Sequence, residues 1–126
     1  MREFRVSMPN RPGELARLAE VFSSRNINLK SIAVIAEANK AVACFVAEDV
    51  AGVRQALQEA RLPLAEAELL TELLENEPGQ VATLAAKLAA AGANIESLYI
   101  LAREADMIEI GFTVDDPKKV KKALGH

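Results

Sequence analysis

The sequence predicts an α+β protein built from ferredoxin-like βαββαβ modules in tandem, with antiparallel sheets and helices on one face. Three observations indicate this class. A turn motif recurs at a fixed offset, apolar residues switch between alternating and helical spacing, and the elements run strand, helix, strand, strand, helix, strand. We therefore expect one module over residues 1–67 and a second over residues 68–126.

The repeat is anchored by Asn10-Arg11-Pro12-Gly13, which recurs as Asn76-Glu77-Pro78-Gly79 at an offset of 66. Residues 10–32 and 76–98 are identical at 8 of 23 aligned positions. Further on, Phe45–Leu57 aligns with Phe112–Leu124 at an offset of 67, which predicts one extra residue in a turn of the second copy. Asn, Pro and Gly recurring in the same order indicate a duplication rather than a similar composition.

The first strand and helix are predicted by their apolar spacing. Alternation predicts a strand whose inner face is formed by Phe4, Val6 and Met8. Pro12 marks the expected helix start, because its missing N–H would be unpaired there. The apolar stripe that follows at helical spacing is Leu15, Leu18, Ala19 and Phe22.

Turn-forming residues predict the remaining boundaries. Asn26 is expected to end the first helix, with Gly92 in the equivalent place of the second copy. Residues 28–37 and 40–47 are predicted to be strands, and Asp49 is predicted to cap the second helix.

Residues 64–75 are ambiguous, because strong helix formers favour a helix there. The repeat instead places the first strand of the second copy at residues 69–74, and we expect a strand because tertiary context overrides propensity. At the same offset, the final strand of the second copy would fall beyond His126. We therefore expect this module to have an open sheet edge, which can pair with another chain.

Composition limits the classes of function. The 126 residues carry a net charge of −3, which argues against a nucleic-acid partner. Cys44 is the single cysteine, which excludes an internal disulfide and a thiolate metal cluster, and no metal or cofactor is expected. No apolar stretch suits a signal peptide or a membrane span, so we expect a cytoplasmic protein. Aromatic residues make up 4% of the chain, which predicts a core of Leu, Val, Ile and Ala.

Two other βαββαβ classes fit poorly. An RNA-recognition module needs aromatic residues on its central strands and a basic face, which residues 41–45 of this acidic chain do not supply. A heavy-metal carrier needs Cys-x-x-Cys where this chain has Asn-Arg-Pro-Gly.

The turn motif itself resembles another family. In both copies Asn-x-Pro-Gly lies between an apolar strand and an amphipathic helix, and a second Asn follows 18 residues after the first. Residues 8–15 with 26–29, and 74–79 with 92–95, resemble the ACT domain family of amino-acid-binding regulatory modules. The chain is similar to small tandem ACT proteins, and the resemblance implies ligand binding where two modules meet.

The resemblance implies a ligand contacted by the loop of one module and by the strand-opening Asn of another. The implied binding residues are Asn10, Arg11, Pro12, Gly13, Glu14, Leu15 and Asn28, with Asn76, Glu77, Pro78, Gly79, Gln80, Val81 and Asn94. The chemistry agrees, because amides at a helix N-terminus bind a carboxylate and Asn oxygens accept from an ammonium group. Serine-binding members have His where this chain has Met8 and Leu74, so serine specificity is not implied.

Simpler interpretations stay open at this stage. The loop asparagines can serve only to form turns, and the strand-opening ones only to satisfy backbone groups. We expect either an allosteric homodimer that binds a small amino acid or related metabolite, or an interaction subunit that regulates a separate metabolic enzyme. Catalysis is not expected, because His126 is the only histidine and no nucleophile–base pair or phosphate loop is present.

Overall fold

The chain divides into two compact units, Met1–Ala67 and Glu68–His126. The computed structural model describes residues 1–125, so His126 lies outside the described residues. The first unit contains β1 (Arg2–Pro9), α1 (Glu14–Ser23), β2 (Leu29–Glu37), β3 (Lys40–Ala47), α2 (Val50–Glu59) and all but the last residue of β4 (Ala65–Glu68). The second contains β5 (Leu70–Glu75), α3 (Gln80–Ala90), β6 (Ile95–Glu104), β7 (Met107–Val114) and α4 (Pro117–Leu124). The predicted α+β ferredoxin-like class is confirmed.

The first sheet has the strand order β2-β3-β1-β4. β3 pairs antiparallel with β1 from Arg2↔Ala47 to Pro9↔Lys40, and with β2 on its other side. Because β3 is central, its inward residues lie beneath the helices and are buried. The register also fixes which loops share an end of the sheet, since the β2–β3 turn lies beside the end of β1.

Phenylalanine forms the centre of both cores, so the expectation of a purely aliphatic core is wrong. Phe4, Phe22 and Phe45 are buried in the first unit and Phe112 in the second. The Phe45 ring lies 5.6 Å from that of Phe4 and 5.0 Å from that of Phe22, measured between centroids. Four aromatic rings suffice because each removes far more apolar area from water than an aliphatic side chain does.

Helix α1 begins two residues later than predicted. Gly13 has a φ of +90°, a left-handed conformation that ends the turn, so the helix starts at Glu14 and Pro12 lies in the turn before it. Leu18 and Phe22 are buried as the stripe predicts, whereas Leu15 is 43% exposed and Ala19 is also exposed. The buried face of α1 is therefore narrower than the apolar spacing of the sequence predicted.

The second sheet has the order β5-β7-β6, and residues 70–75 form the strand that the repeat predicted. Leu70↔Phe112 and Glu75↔Met107 delimit the β5–β7 pairing. Within residues 1–125 no strand follows α4, so one edge of β5 has no neighbour in the second sheet.

The extra residue of the second copy lies in a β-bulge and not in a turn, which corrects the sequence prediction. The two hairpin turns have equal length, at residues 38–39 and 105–106. In β6 the register shifts between Ile100 and Ala102, where β2 has no shift. The inserted residue is accommodated because Gly111 on β7 leaves room for Leu101, whose Cδ1 would lie 2.9 Å from a Cβ at that position.

Replacing Phe45 tests the aromatic core. We expect Phe45→Ala to lower the free energy of unfolding by about 3–5 kcal/mol, because it removes a fully buried ring and leaves a cavity. Urea unfolding followed by circular dichroism measures the loss. The control Leu73→Ala removes a side chain that is 63% exposed and should change stability by less than about 0.5 kcal/mol. Equal effects would contradict the assigned core.

Candidate functional site

The loop between β1 and α1 is built by backbone hydrogen bonds. The Asn10 amide donates to the Asn39 carbonyl at 2.9 Å, which fastens the loop to the β2–β3 turn. The Arg11 amide donates to Pro9, and the Arg17 amide donates to the Gly13 carbonyl at 3.0 Å as the first helical bond. The loop therefore has a fixed position at one end of the sheet.

The loop between β5 and α3 repeats this pattern bond for bond. The Asn76 amide donates to the Asp106 carbonyl at 2.6 Å, and the Glu77 amide donates to Glu75. Gly79 has a φ of +90° and a ψ of −11°, against +90° and −14° for Gly13. The duplicated motif thus encodes the same backbone conformation twice.

Both glycines leave the start of the following helix accessible. Neither α1 nor α3 has a side chain that caps its first amides, and no atom lies within 4 Å of a Cβ built on Gly13 or Gly79. The first amide of each helix, from Glu14 or Gln80, makes a long hydrogen bond of 3.4 Å to the Arg11 or Glu77 carbonyl. First-turn amides without a side-chain cap carry the positive end of the helix dipole and can bind an anion. Leu15 and Val81, the second residues of the two helices, are 43% and 44% exposed and add an apolar surface to each loop.

The two loops differ in their side chains. In the first, Asn10 Nδ2 donates to the Ala38 carbonyl at 2.9 Å, and Arg11 Nε donates to Glu14 Oε1 at 2.7 Å. Glu14 is 7% exposed and also pairs with Arg17 at 3.3 Å. The second loop has Glu77 and Gln80 at the places of Arg11 and Glu14, so the two loops carry different charges.

Most of the predicted binding residues in the two loops are exposed to solvent. Asn10, Arg11 and Pro12 are exposed in the first loop. The second loop exposes Asn76, Glu77, Pro78 and Gly79, and Gln80 is half-buried. Glu14 is the one predicted loop residue with a buried side chain, and its two arginine partners explain how its charge is accommodated.

The strand-opening asparagines lie at the opposite end of each sheet from the loops. Asn28 precedes the Leu29↔Ala47 pair, whereas Asn10 follows the Pro9↔Lys40 pair. The seven residue steps from Lys40 to Ala47 span about 23 Å at the rise of a β-strand. No single module therefore brings its own two asparagines together.

Asn28 and Asn94 have different surroundings. Asn28 lies in the wall of an open polar cleft in the first unit, lined by Asn26, Ile27, Asn28, Lys30, Glu48 and Asp49. In the second unit the Asn94 amide donates to Asp115 Oδ1 at 2.8 Å, and the Asp115 amide donates back to the Asn94 carbonyl at 3.1 Å. The backbone of Asn94 is thus held by the β7–α4 loop.

Sequence reasoning missed Asp115 and Arg17. Asp115 aligns with Glu48, so the repeat gave no sign that a shorter carboxylate would bond the Asn94 backbone. Arg17 lies one helical turn after Glu14, and this i, i+3 spacing on a predicted helix was the available signal. The predicted Asp49 cap is confirmed, since its side chain accepts from the Gly52 amide at 2.9 Å.

Comparisons with known proteins identify the first unit. The family model described as ACT domain matches residues 2–61. Residues 2–61 form an ACT domain. The match ends before the second unit, and no curated protein matches the chain.

Solved structures resemble nearly the whole chain, including the part after the ACT domain. Protein BT0572 from Bacteroides thetaiotaomicron is 21% identical with a TM-score of 0.88, over 98% of this chain and 85% of that one. The regulatory subunit of aspartate kinase from Thermus thermophilus is 16% identical with a TM-score of 0.69, over 98% and 89%. The Thermus flavus regulatory subunit is 17% identical with a TM-score of 0.61, over 98% and 91%. At these identities the similarity shows the fold.

Metal-binding side-chain clusters and membrane-spanning helices are both lacking among residues 1–125. Within that range, no group of three or more His, Cys, Asp or Glu side chains is arranged to hold a metal ion. Among the helices of the described chain, none has the length and apolar character needed to cross a membrane.

The Asp115 contact predicts a pH dependence. The Asn94 amide holds the pKa of Asp115 below its ordinary value of 3.8, so its stabilisation is present above that value and lost as pH falls through the lowered pKa. NMR titration of the side-chain carboxyl should give a midpoint below 3.8. Asp115→Asn should weaken the dependence of stability on pH between about 5 and 2. A midpoint at or above the ordinary value would contradict the contact.

Proposed function

We propose that this chain is a non-catalytic regulatory protein that binds a small amino acid or a related zwitterionic metabolite. The observation that carries the proposal is the loop conformation built twice, in which a left-handed glycine leaves uncapped helix amides beside an asparagine. The ACT domain over residues 2–61 and a fold similar to regulatory subunits of aspartate kinase support a regulatory role.

The loops suit both charges of a zwitterion. The amides that follow Gly13 and Gly79 face the carboxylate, whose negative charge the helix dipole stabilises. The Asn10 and Asn76 side-chain oxygens accept hydrogen bonds from the ammonium group without adding a competing charge. Leu15 and Val81 contact the apolar part of the ligand, since both are exposed beside the loops.

We infer that the second unit is a second ACT module, although the family match ends at residue 61. The repeated sequence motif, the same loop bonds and the same order of the first five elements support this inference. In this arrangement a loop from one module is completed by the strand-opening Asn28 or Asn94 of a module in another copy of the chain. The separation of the loops from the strand openings within each sheet is consistent with that division.

Regulation follows from differential binding. A ligand held between modules of two copies favours the packing in which both halves of the site meet, so binding shifts the population of assembled states. The magnitude of the shift is limited by the difference in affinity between those states.

The loop asparagines provide the test of ligand binding. A thermal-unfolding screen of the twenty amino acids should identify one that raises the midpoint, because a ligand at 100 times its Kd adds about 2.7 kcal/mol. The double variant Asn10→Ala, Asn76→Ala should lose this shift relative to its own unliganded midpoint. Using each variant's own baseline matters, because Asn10 also bonds Ala38.

The matched control is Gln58→Ala, which removes an exposed amide side chain on α2. It should keep the full ligand-induced shift. If no amino acid shifts the wild-type midpoint, or if the double variant binds as tightly as wild type, the proposed site is wrong.

We also propose that β2 mediates a homodimer. β2 is an edge strand, and its residues 31–36 carry no charge. Ile32, Val34 and Ile35 are 43%, 39% and 71% exposed. An apolar, uncharged edge favours pairing with a second strand, and pairing around a two-fold axis closes the assembly.

Introducing charged residues into β2 should therefore dissociate the proposed dimer. We expect Val34→Lys with Ile35→Lys to reduce the mass in sedimentation equilibrium from that of two chains to that of one. Leu73→Lys is the control, because Leu73 is 63% exposed on a different strand and should leave the dimer intact. A wild-type monomer, or a dimer that persists in the double lysine variant, would refute the β2 interface.

A second candidate function is that of an interaction subunit for a separate enzyme. The position of β5 at the edge of the second sheet favours it, because an edge strand offers main-chain donors and acceptors to another chain. Co-purification with a stoichiometric enzyme would support this function.

A further inference from the structure

We propose that the loop of the first unit selects an amino acid with an acidic side chain, and that the loop of the second unit rejects it. The inference rests on the proposed function, because it names the class of ligand that the first loop binds. A cluster of charged side chains beside the first loop carries it, formed by Arg11, Glu14 and Arg17. The equivalent residues of the second loop form no such cluster, since they are Glu77, Gln80 and Thr83.

A buried carboxylate organises this cluster. Glu14 is the first residue of α1 and is 7% exposed, yet its side chain does not cap the helix. Its Oε1 atom accepts a hydrogen bond of 2.7 Å from Arg11 Nε and one of 3.3 Å from Arg17 Nη2. Both guanidinium groups are therefore held close to the helix N-terminus, where the proposed site binds the α-carboxylate of its ligand.

The cluster has more positive charge than Glu14 requires. One arginine balances the buried carboxylate, so the second leaves a net charge of +1. Each bond to Glu14 uses only one of the N–H donors of its guanidinium group. The side chains of Arg11 and Arg17 are 63% and 67% exposed, so their remaining donors face solvent. The two Nη atoms of Arg11 can thus bind both oxygens of a ligand carboxylate while Nε stays bonded to Glu14.

The net charges around the two loops have opposite signs. The first loop, the start of α1 and the β2–β3 turn comprise residues 9–17 and 36–41. Their net charge is +1, from Arg11, Glu14, Arg17, Glu37 and Lys40. The equivalent residues of the second unit are 75–83 and 103–108. Their net charge is −3, from Glu75, Glu77, Arg103, Glu104 and Asp106. An acidic side chain is therefore attracted to the first loop and repelled from the second.

The charged cluster is not needed to build the loop. The second loop has the same backbone conformation without it. At the place of Arg17, the Thr83 hydroxyl donates to the Gly79 carbonyl at 3.0 Å. Because the same turn forms without an arginine, the excess charge of the first loop has a role beyond the fold, and selection of an anionic ligand group accounts for it.

Isothermal titration calorimetry with matched acids and amides tests this selectivity. We expect aspartate or glutamate to bind the full chain at one site per chain. The acid should bind about tenfold more tightly than its amide, asparagine or glutamine, because the amide cannot form the charge-assisted bonds to arginine. Arg11→Gln should reduce this ratio of affinities to nearly one. Raising the salt concentration should weaken binding of the acid far more than that of the amide.

Arg25→Gln is the matched control. Arg25 also bonds a glutamate, Glu59, but it lies beyond the opposite end of α1. This variant should keep the full ratio of acid to amide affinity. Arg17→Gln is a second variant of the cluster, which should also lower the ratio and serves if Arg11→Gln does not fold.

The inference is overturned if a neutral or basic amino acid binds the loops and no acidic one does, a result that leaves the proposed function intact. It is also overturned if two acidic ligands bind per chain, or if Arg11→Gln and Arg25→Gln lower the ratio equally. Succinate lacks the ammonium group, so binding of succinate as tight as that of aspartate would show an anion site without selectivity for amino acids. If no amino acid binds the chain, the proposed function and this inference are both wrong.

Discussion

The antiparallel pairing of the first and third strands of each module is the constraint on which the rest depends. In the first unit this ladder runs without a shift from Arg2↔Ala47 to Pro9↔Lys40, and the Asn10–Asn39 bond extends it by one step into the loop. The position of the uncapped helix amides therefore follows from strand register. In the second unit the Asn76–Asp106 bond has the same role. In the proposed function, a loop placed by a sheet has its amides fixed before the ligand binds, which reduces the entropy lost on binding.

The two units have the same loop backbone conformation and differ in the side chains around it. The first loop is surrounded by Arg11, Glu14 and Arg17, whereas the second has Glu77 and Gln80 in the corresponding places. At the far end of the sheets the difference continues, because Asp115 engages the backbone of Asn94 while Asn28 borders an open cleft. The two units thus share the loop geometry that the strand ladder enforces, and the side chains around the loops differ. The two loops are not interchangeable copies of one site.

The sequence repeat predicted the elements well even where local propensity opposed it. The strand at residues 70–75 is the clearest case, since helix propensity opposed it and the equivalence with β1 decided it correctly. The prediction of an aliphatic core was wrong because the percentage of aromatic residues does not indicate where they lie. All four phenylalanines are buried. The burial of Glu14 was not predictable from its spacing alone, because a buried carboxylate needs partners such as the two arginines that pair with it. The helix start was missed because Pro12 permits a helix, while the positive φ of Gly13 delays it.

The bulge in β6 has an evolutionary consequence. An inserted residue in the hairpin between β6 and β7 would move the Asp106 carbonyl away from the Asn76 amide and distort the loop beside it. Placed at Ile100–Ala102 in an edge strand, the same insertion disturbs only a short part of one ladder, and the Gly111–Leu101 contact absorbs it. Edge strands thus tolerate inserted residues, whereas hairpin turns that hydrogen-bond to a neighbouring loop do not. Homologous chains should accumulate insertions along β6 far more readily than at residues 105–106.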